Sequence, residues 1–173
     1  TPSRTRDTSY PNLPYTEPPP PSNSLSYVNA KKYLAGKYDE GLAKAVFGIL
    51  WAEAAKNTKR TAFVSAGGHN YAGVQTDSGQ WGVSGITGQY KRVDSGGATR
   101  SFAIFDSDDT FLDFMANRVK AKKFTGTNGD EWTTTYINSW WSPVNKANYT
   151  KGTSTYNEKL AIYNTAIRIY NKS

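Results

Sequence analysis

Apolar residues recur at helical spacing in five stretches of this chain, and the spacing breaks down between the second and the third. Leu25 to Lys37 reads as a first helix, capped by Ser24 and ended near Gly36. Asp39 to Lys56 reads as a second, with Leu42, Val46, Ile49 and Leu50 on one face. Glu53 follows Leu42 by eleven residues, about three turns at 3.6 residues per turn. The pattern therefore puts a carboxylate on the apolar stripe, pointing into the interior. A third helix opens at Ser107, an N-cap followed by Asp108 and Asp109 in the first turn, with Phe111, Leu112, Met115 and Val119 inward. A fourth runs from about Asp130 to Trp141, with Trp132, Tyr136, Ile137 and Trp140 on one side. Pro143 stops it and pushes Ser142 out of helical geometry. In the last helix Tyr156, Leu160, Tyr163, Ile167 and Tyr170 are spaced 4, 3, 4 and 3.

From Thr61 to Phe105 the texture changes to glycines with β-branched and aromatic residues between them. Asp77-Ser-Gly79 and Ser95-Gly-Gly97 read as hairpin turns, with Tyr90–Val93 and Arg100–Phe105 as flanking strands. The order predicts an α+β domain, mostly helical, whose small β-hairpin lobe forms one wall of a cleft. Seven of the eight prolines fall within the first 21 residues. Residues 1–24 thus read as a Pro-rich extended arm or linker, and 25–173 as one domain. Tyr10, Leu13 and Tyr15 are the arm's docking candidates. The first residue is Thr rather than Met, the mark expected of a processed form or a fragment.

The composition adds rings and charge. Twelve Tyr, seven Phe and five Trp make 14% of 173 residues, which suits an aromatic core or an aromatic-lined groove. The absence of cysteine excludes a disulfide scaffold and a Cys-based zinc site. A single histidine, His69, excludes a zinc site built from several His, and any Ser-His-Asp triad would have to use it. No metal and no cofactor are expected. The net charge of +7 lies wholly beyond residue 24, because Arg4 and Arg6 offset Asp7 and Glu17 in the arm. Such a body favours polyanions. Lys120-Ala-Lys-Lys123 is the densest basic cluster and is explained by a helix C-terminus, so no nucleic-acid motif is present. No apolar run is long enough to span a membrane.

A carboxylic acid in apolar surroundings holds its proton, which is what a general acid requires. The plain alternative for Glu53 is an end-of-helix residue curling into solvent, or one paired with Lys56 or Arg60. His69, on a Gly-rich turn, reads either as a substrate contact or as a backbone hydrogen-bonding residue. Trp51 reads as core. Trp81, Trp140 and Trp141 are sugar-stacking candidates, with core packing favoured for Trp140.

Together these motifs resemble a known family. Ile49-Leu-Trp-Ala-Glu-Ala-Ala55 resembles the catalytic-Glu helix of the lysozyme-like superfamily. Gly68-His-Asn-Tyr-Ala-Gly-Val-Gln75 is similar to the Asn-x-Phe-Gly-Ile-Lys signature of family 73 glycoside hydrolases, the bacterial endo-β-N-acetylglucosaminidases. Phe102-Ala-Ile-Phe-Asp-Ser107 is similar to that family's Phe-Arg-x-Tyr-x-Ser, and Tyr149 through Leu160 to its Tyr-Ala-Thr-Asp-Pro-x-Tyr-x-x-Lys-Leu segment. The resemblance covers roughly Ala43 to Tyr170 and implies a lysozyme-like fold. It implies Glu53 as general acid, Asn70 and Tyr71 in the turn that shapes the cleft floor, and Tyr149 as a tyrosine near the scissile bond. The family often carries a second carboxylate thirteen residues before the Phe of Phe-Arg-x-Tyr, where this chain has Gln89. Asp77 and Asp94 are the remaining acids of the lobe ahead of Asp106; a turn role is the stronger reading for Asp94, and Asp77 stays open as the replacement acid.

The function expected from the resemblance is cleavage of peptidoglycan glycan strands, as endo-β-N-acetylglucosaminidase or muramidase-like hydrolase, with lytic transglycosylation as a variant. Glu53, Tyr149 and Asp77 are the catalytic candidates; His69, Asn70, Tyr71, Gln75, Trp81 and Gln89 are the substrate-binding ones. The expected partners are glycan strands, anionic wall polymers and, through the arm, a larger polypeptide or a virion assembly. The expected setting is extracellular, periplasmic or wall-associated, as in a bacterial autolysin or a virion-borne phage lysin. The competing reading is a catalytically impaired wall-binding or virion structural module on the same fold.

Overall fold

A computed structural model describes residues 13–55, 57–77, 84–94 and 96–173. Among them the chain is α+β. Its helices are α1 (Tyr27–Lys37), α2 (Glu40–Leu50), α3 (Asp108–Ala121), α4 (Gly129–Thr135) and α5 (Ser154–Lys172). The strands β1 (Asn23–Ser26) and β2 (Ala62–Ser65) pair with each other, as do β3 (Ile86–Val93) and β4 (Thr99–Phe105). Contacts divide the chain into two units. A hairpin unit holds the arm and Val64–Phe114, and a helical unit holds Leu25–Phe63 and Met115–Ser173.

In the helical unit, local caps set the helix starts. Leu25 belongs to β1, so α1 begins two residues later than the apolar pattern predicts, and Ser26 rather than Ser24 caps it by accepting from the Asn29 N–H at 3.0 Å. Asp39 caps α2 in the same way through Leu42 N–H at 2.9 Å. Of the predicted stripe of α2, Val46, Ile49 and Leu50 are closed to solvent, together with Phe47, and Leu42 is half-buried. Each aliphatic side chain of this kind contributes ~1.5–3 kcal/mol on burial. The rings fill the space between helices. Phe47 meets Phe63 and Tyr170 edge-on at 5.2 and 5.3 Å. Trp132 is sandwiched by Tyr136 at 5.0 Å and Tyr163 at 4.5 Å, and its indole N–H donates to the Ala45 carbonyl. The aromatic excess thus goes largely into the core.

Two helices change pitch where the sequence predicts them to continue. Past Leu50 the chain widens into a π-helical turn over Trp51–Ala55, and past Thr135 into another over Tyr136–Trp141. A π turn takes an extra residue per turn and shifts the backbone pairing to i→i+5. Lysines bind carbonyls of the second π segment: Lys122 Nζ donates to Ser139 O at 2.7 Å, and Lys146 Nζ to Asn138 O at 3.1 Å. Burial, and secondarily the Arg118 charge, hold the Lys122 ammonium below the usual lysine range. The segment closes at Ser142, which leaves helical geometry as Pro143 predicts, but into the left-handed region at φ 46°.

In the hairpin unit β3 and β4 run antiparallel, with Gln89 opposite Ala103 and Tyr90 opposite Phe102. Asp94 makes the turn: its Oδ1 accepts from Gly96 and Ala98 N–H groups, both at 2.9 Å. The Ala98 N–H first, and then Arg100, hold its carboxyl below the usual range. Ser95, in the same predicted turn, and residues 78–79 of the other lie outside the described residues.

Both edges of the hairpin are covered. Residues 74–76 run along β4, with Ala103 N–H donating to Val74 O and Thr76 N–H to Ser101 O, each at 2.9 Å. The arm runs along β3: Gln89 N–H donates to Pro14 O, and Thr16 N–H donates to Gln89 O, both at 2.9 Å, around a parallel bridge at Tyr15. Gly88 permits this approach, because a Cβ there would meet Pro14 O at 3.2 Å. The Tyr15 hydroxyl hydrogen-bonds with Ser101 Oγ at 2.9 Å, and Lys91 Nζ lies 5.0 Å over its ring. The linker reading is therefore corrected for residues 13–16, where the arm is an edge strand of the hairpin unit. Composition pointed to a linker, but Pro14 and Thr16 turn their hydrogen-bonding groups to the same neighbour.

Removing residues 1–16 is consequently expected to destabilise the protein. Loss of these hydrogen bonds should cost on the order of 2 kcal/mol, a fall in Tm of roughly 4–8 °C. Calorimetry of the truncated chain checks this; an unchanged Tm would mean that the docked arm contributes nothing.

Candidate functional site

Glu53 is exposed, not buried. The correction has a simple cause. The eleven-residue count from Leu42 assumes an uninterrupted α-helix, but Glu53 sits inside the π turn, where the phase has slipped. Trp51 and Ala52 take the inward positions instead, at 2% and 1% exposure. Trp51 packs edge-on against Tyr27 at 5.6 Å, in keeping with its core reading. What reaches Glu53 is a second π segment: the Tyr136 hydroxyl donates to Glu53 Oε1 at 3.3 Å. Tyr136 is buried, and its hydroxyl is pushed well above the usual tyrosine range by burial first, and then by the charge and hydrogen bond of Glu53. It is a neutral donor at any working pH. The apolar pattern assigned Tyr136 to the core, correctly for its ring. Nothing in the spacing signalled where its hydroxyl would point.

Tyr149, the tyrosine that the resemblance implies, lies in the same unit in different company. Its hydroxyl accepts from Asn145 Nδ2 at 2.8 Å, and its ring stacks on Trp141 at 5.5 Å. Trp141 remains 39% exposed, with Lys159 Nζ 4.6 Å over its ring. Trp140 is half-buried against the edge of Phe124. Trp81 lies outside the described residues.

The other candidates gather in the hairpin unit, on the turn from Gly67 to Gln75. Gly68 opens it at φ 67°, where a Cβ would also crowd Ile104 at 3.1 Å, so glycine is required twice over. Asn70 organises the turn. Its Nδ2 donates to Val74 O at 2.9 Å and Ala103 O at 3.0 Å, and its Oδ1 accepts from Val74 N–H at 2.9 Å. At 5% exposure, with both amide ends engaged, Asn70 shapes the turn rather than offering groups to a ligand.

His69 is held in the left-handed region at φ 55°. Its backbone N–H donates to Asn23 Oδ1 at 2.9 Å, and its Nδ1 meets Asp108 Oδ1 at 2.8 Å. Tyr71 donates its hydroxyl to the same oxygen at 2.7 Å. Burial, then Asp108, raises the Tyr71 hydroxyl well above its usual range. Asp108 therefore does more than complement the α3 dipole: it ties the turn to the first turn of that helix. Sequence reasoning missed it because an acid after an N-cap already has a sufficient explanation.

Gln89, the residue at the second-acid position, is 4% exposed and engaged at both ends. Its Nε2 donates to Leu13 O at 2.9 Å, and its Oε1 accepts from Thr76 Oγ1 at 2.6 Å. A carboxylate could accept from Thr76 but not donate to Leu13. The amide is what lets this position hold the arm, so Gln89 is corrected from a substrate contact to a clasp between both edges of the hairpin. Gln75 is half-buried and bridges to Phe102. Asp77 accepts from Ser101 N–H through Oδ2 at 3.1 Å, so one of its oxygens is committed to the strand.

Six candidates thus lie in the hairpin unit (His69, Asn70, Tyr71, Gln75, Asp77 and Gln89), while Glu53 and Tyr149 lie in the helical unit. Among the described residues no group of three or more His, Asp or Glu is placed to hold a metal ion, and no helix is long and apolar enough to cross a membrane. The chain matches no protein-family model, and no curated protein or solved structure matches it.

Proposed function

We propose that this chain cleaves peptidoglycan glycan strands on a lysozyme-like fold, with Glu53 as general acid. The observation that carries the reading is a solvent-accessible carboxylate on a π turn, bonded by a buried, neutral tyrosine. π turns inside helices are frequent at functional sites. The resemblance of Ile49–Ala55 to the catalytic-Glu helix of the lysozyme-like superfamily, together with that of Gly68–Gln75 to the family 73 signature, supplies the substrate class. Glu53 is open to water in the free protein, and bound substrate would exclude that water from the acid. With Gln89 closed on the arm, a second carboxylate does not come from that position. The substrate's own N-acetyl oxygen, or its 6-hydroxyl in a transglycosylase, would then attack the anomeric carbon.

The excess positive charge supports capture of anionic wall polymers ahead of cleavage. This is the equipment of an extracellular or wall-associated lysin, of bacterial or virion origin. Gln89 also favours a second reading, a wall-binding or virion structural module without turnover, since its hydrogen bonds to Leu13 and Thr76 serve the fold. Mass spectrometry of material released from purified peptidoglycan separates the two. New reducing ends identify the hydrolysed bond, and anhydro sugars identify a transglycosylase. Binding to the wall with no soluble fragments would refute the enzymatic reading.

A further inference from the structure

We infer that Tyr136 is a positioning residue for Glu53: its hydroxyl fixes Oε1, so that the proton is delivered from Oε2. The inference rests on the reading of Glu53 as general acid. Neither the apolar pattern nor the family resemblance singles out Tyr136.

The donor is held unusually well. The Tyr136 ring lies nearly parallel to Trp132, at 9° and 5.0 Å, and Trp132 lies at 20° and 4.5 Å from Tyr163. The far end of this three-ring stack is pinned where the Tyr163 hydroxyl donates to Gly126 O at 2.6 Å. The middle is pinned by the Trp132 indole on Ala45 O at 3.3 Å. Tyr136 therefore has little freedom to follow a moving carboxylate; Glu53 must come to it. Glu53 has the opposite character, an exposed side chain with many rotamers, whose alignment at a reacting bond has to be fixed from outside.

Both partners owe their meeting to the pitch changes. Glu53 is the third residue of one π segment, and Tyr136 is the first of the other. In an unbroken α-helix Glu53 would continue the buried stripe.

The chemistry follows from the donor's single proton. A phenol that stays neutral donates to one carboxyl oxygen and takes nothing back. In the transfer step the Oε2 proton moves to the leaving glycosidic oxygen, which keeps the electron pair of the broken C–O bond. The anomeric carbon gains its new bond from the N-acetyl oxygen of the substrate, or from its 6-hydroxyl, whose proton then returns to the Glu53 carboxylate. Negative charge then appears on Glu53, and the hydrogen bond from Tyr136 strengthens as it does.

The test is Tyr136→Phe, with Glu53→Gln as its companion. Glycan-strand cleavage is followed across pH by reducing-end or anhydro-sugar release, and folding by Tm. The Phe variant keeps the ring and its stacking. We expect about a tenfold loss of rate, in line with a charge-assisted hydrogen bond. We also expect the alkaline limb of the pH profile to move to higher pH, because without the donor Glu53 gives up its proton less readily. Incorporation of 3-fluorotyrosine at position 136, a stronger donor of nearly the same size, should move the limb the other way and covers the case in which the Phe variant folds poorly. Rate loss with an unmoved limb in both variants would assign Tyr136 to packing alone and overturn the inference. A parental profile for Tyr136→Phe beside an inactive Glu53→Gln would also overturn it, leaving the role of Glu53 intact. A fully active Glu53→Gln would instead refute the underlying function.

Discussion

Glu53→Gln is expected to leave Tm nearly unchanged and to lower glycan-strand cleavage by ~10²–10⁴-fold, the usual contribution of general acid catalysis. The two halves of this expectation have separate causes. Glu53 is exposed on its π turn, so the fold does not depend on its charge, and surface changes of this kind stay within about 0.5 kcal/mol. The amide oxygen of glutamine can still accept from Tyr136, which preserves that tie between the two π segments. What is lost is the transferable proton. Had Glu53 been buried on the stripe of Leu42, Val46 and Leu50, the same substitution would have relieved a desolvated carboxyl and raised stability, so the Tm reading also checks the π-turn geometry. Glu40→Gln, at another exposed acid of the helical unit, is the control and should leave cleavage intact. Near-normal turbidity clearing by Glu53→Gln would end the assignment of this residue.

Much of the fold follows directly from spacing and caps. The Asp39 cap, the face of α2, the hairpin flanking Asp94, the Ser107 start of α3 and the tyrosine stripe of α5 are all local signals, and each agrees with the structure. The misreadings share a different origin. A π turn leaves no mark in residue type, because one inserted residue shifts a pattern without altering its composition; Glu53 leaves its expected environment for that reason, while Trp51 keeps its core position. The arm was misjudged because proline content speaks for extension and is silent about pairing, and extended chain is also what an edge strand needs. Gln89 was read through what it lacks, a charge, when its role depends on what it has, a donor for Leu13 O and an acceptor for Thr76. The candidate site was legible as a set of residue types. The hydroxyl that reaches Glu53 was not, since contacts across 83 residues of sequence depend on packing that no local pattern encodes.

The largest effect on stability is expected at Asn70. Replacing it with Ala removes two donors and an acceptor from a turn that is closed to water. It strands the Val74 N–H and leaves the Ala103 carbonyl, in β4, short of a partner, while the Val74 carbonyl keeps the Ala103 N–H. Each buried group left unmade costs about 1–3 kcal/mol, and two are left in one environment, so a total of roughly 3–5 kcal/mol is the sensible sum. That corresponds to a Tm lower by roughly 6–20 °C for a chain of this length. Asn70→Asp sharpens the argument. A carboxylate can still accept from Val74 N–H, but it faces the Val74 and Ala103 carbonyls with no proton to give. Its ionised form is disfavoured in the folded state, so its folded pKa should lie above the unfolded value of about 3.9. A raised pKa means that the variant has its full stability below the unfolded value and loses it as pH rises through the folded one. The Asp variant should therefore melt well below the parent at pH 7 and close much of that gap near pH 4, whereas the Ala variant should show no such recovery. Thermal melts of both at the two pH values decide the matter. If Asn70 instead served chiefly to bind sugar, both variants would keep the parental Tm and lose activity alone, and the turn would have to be held by something other than this side chain.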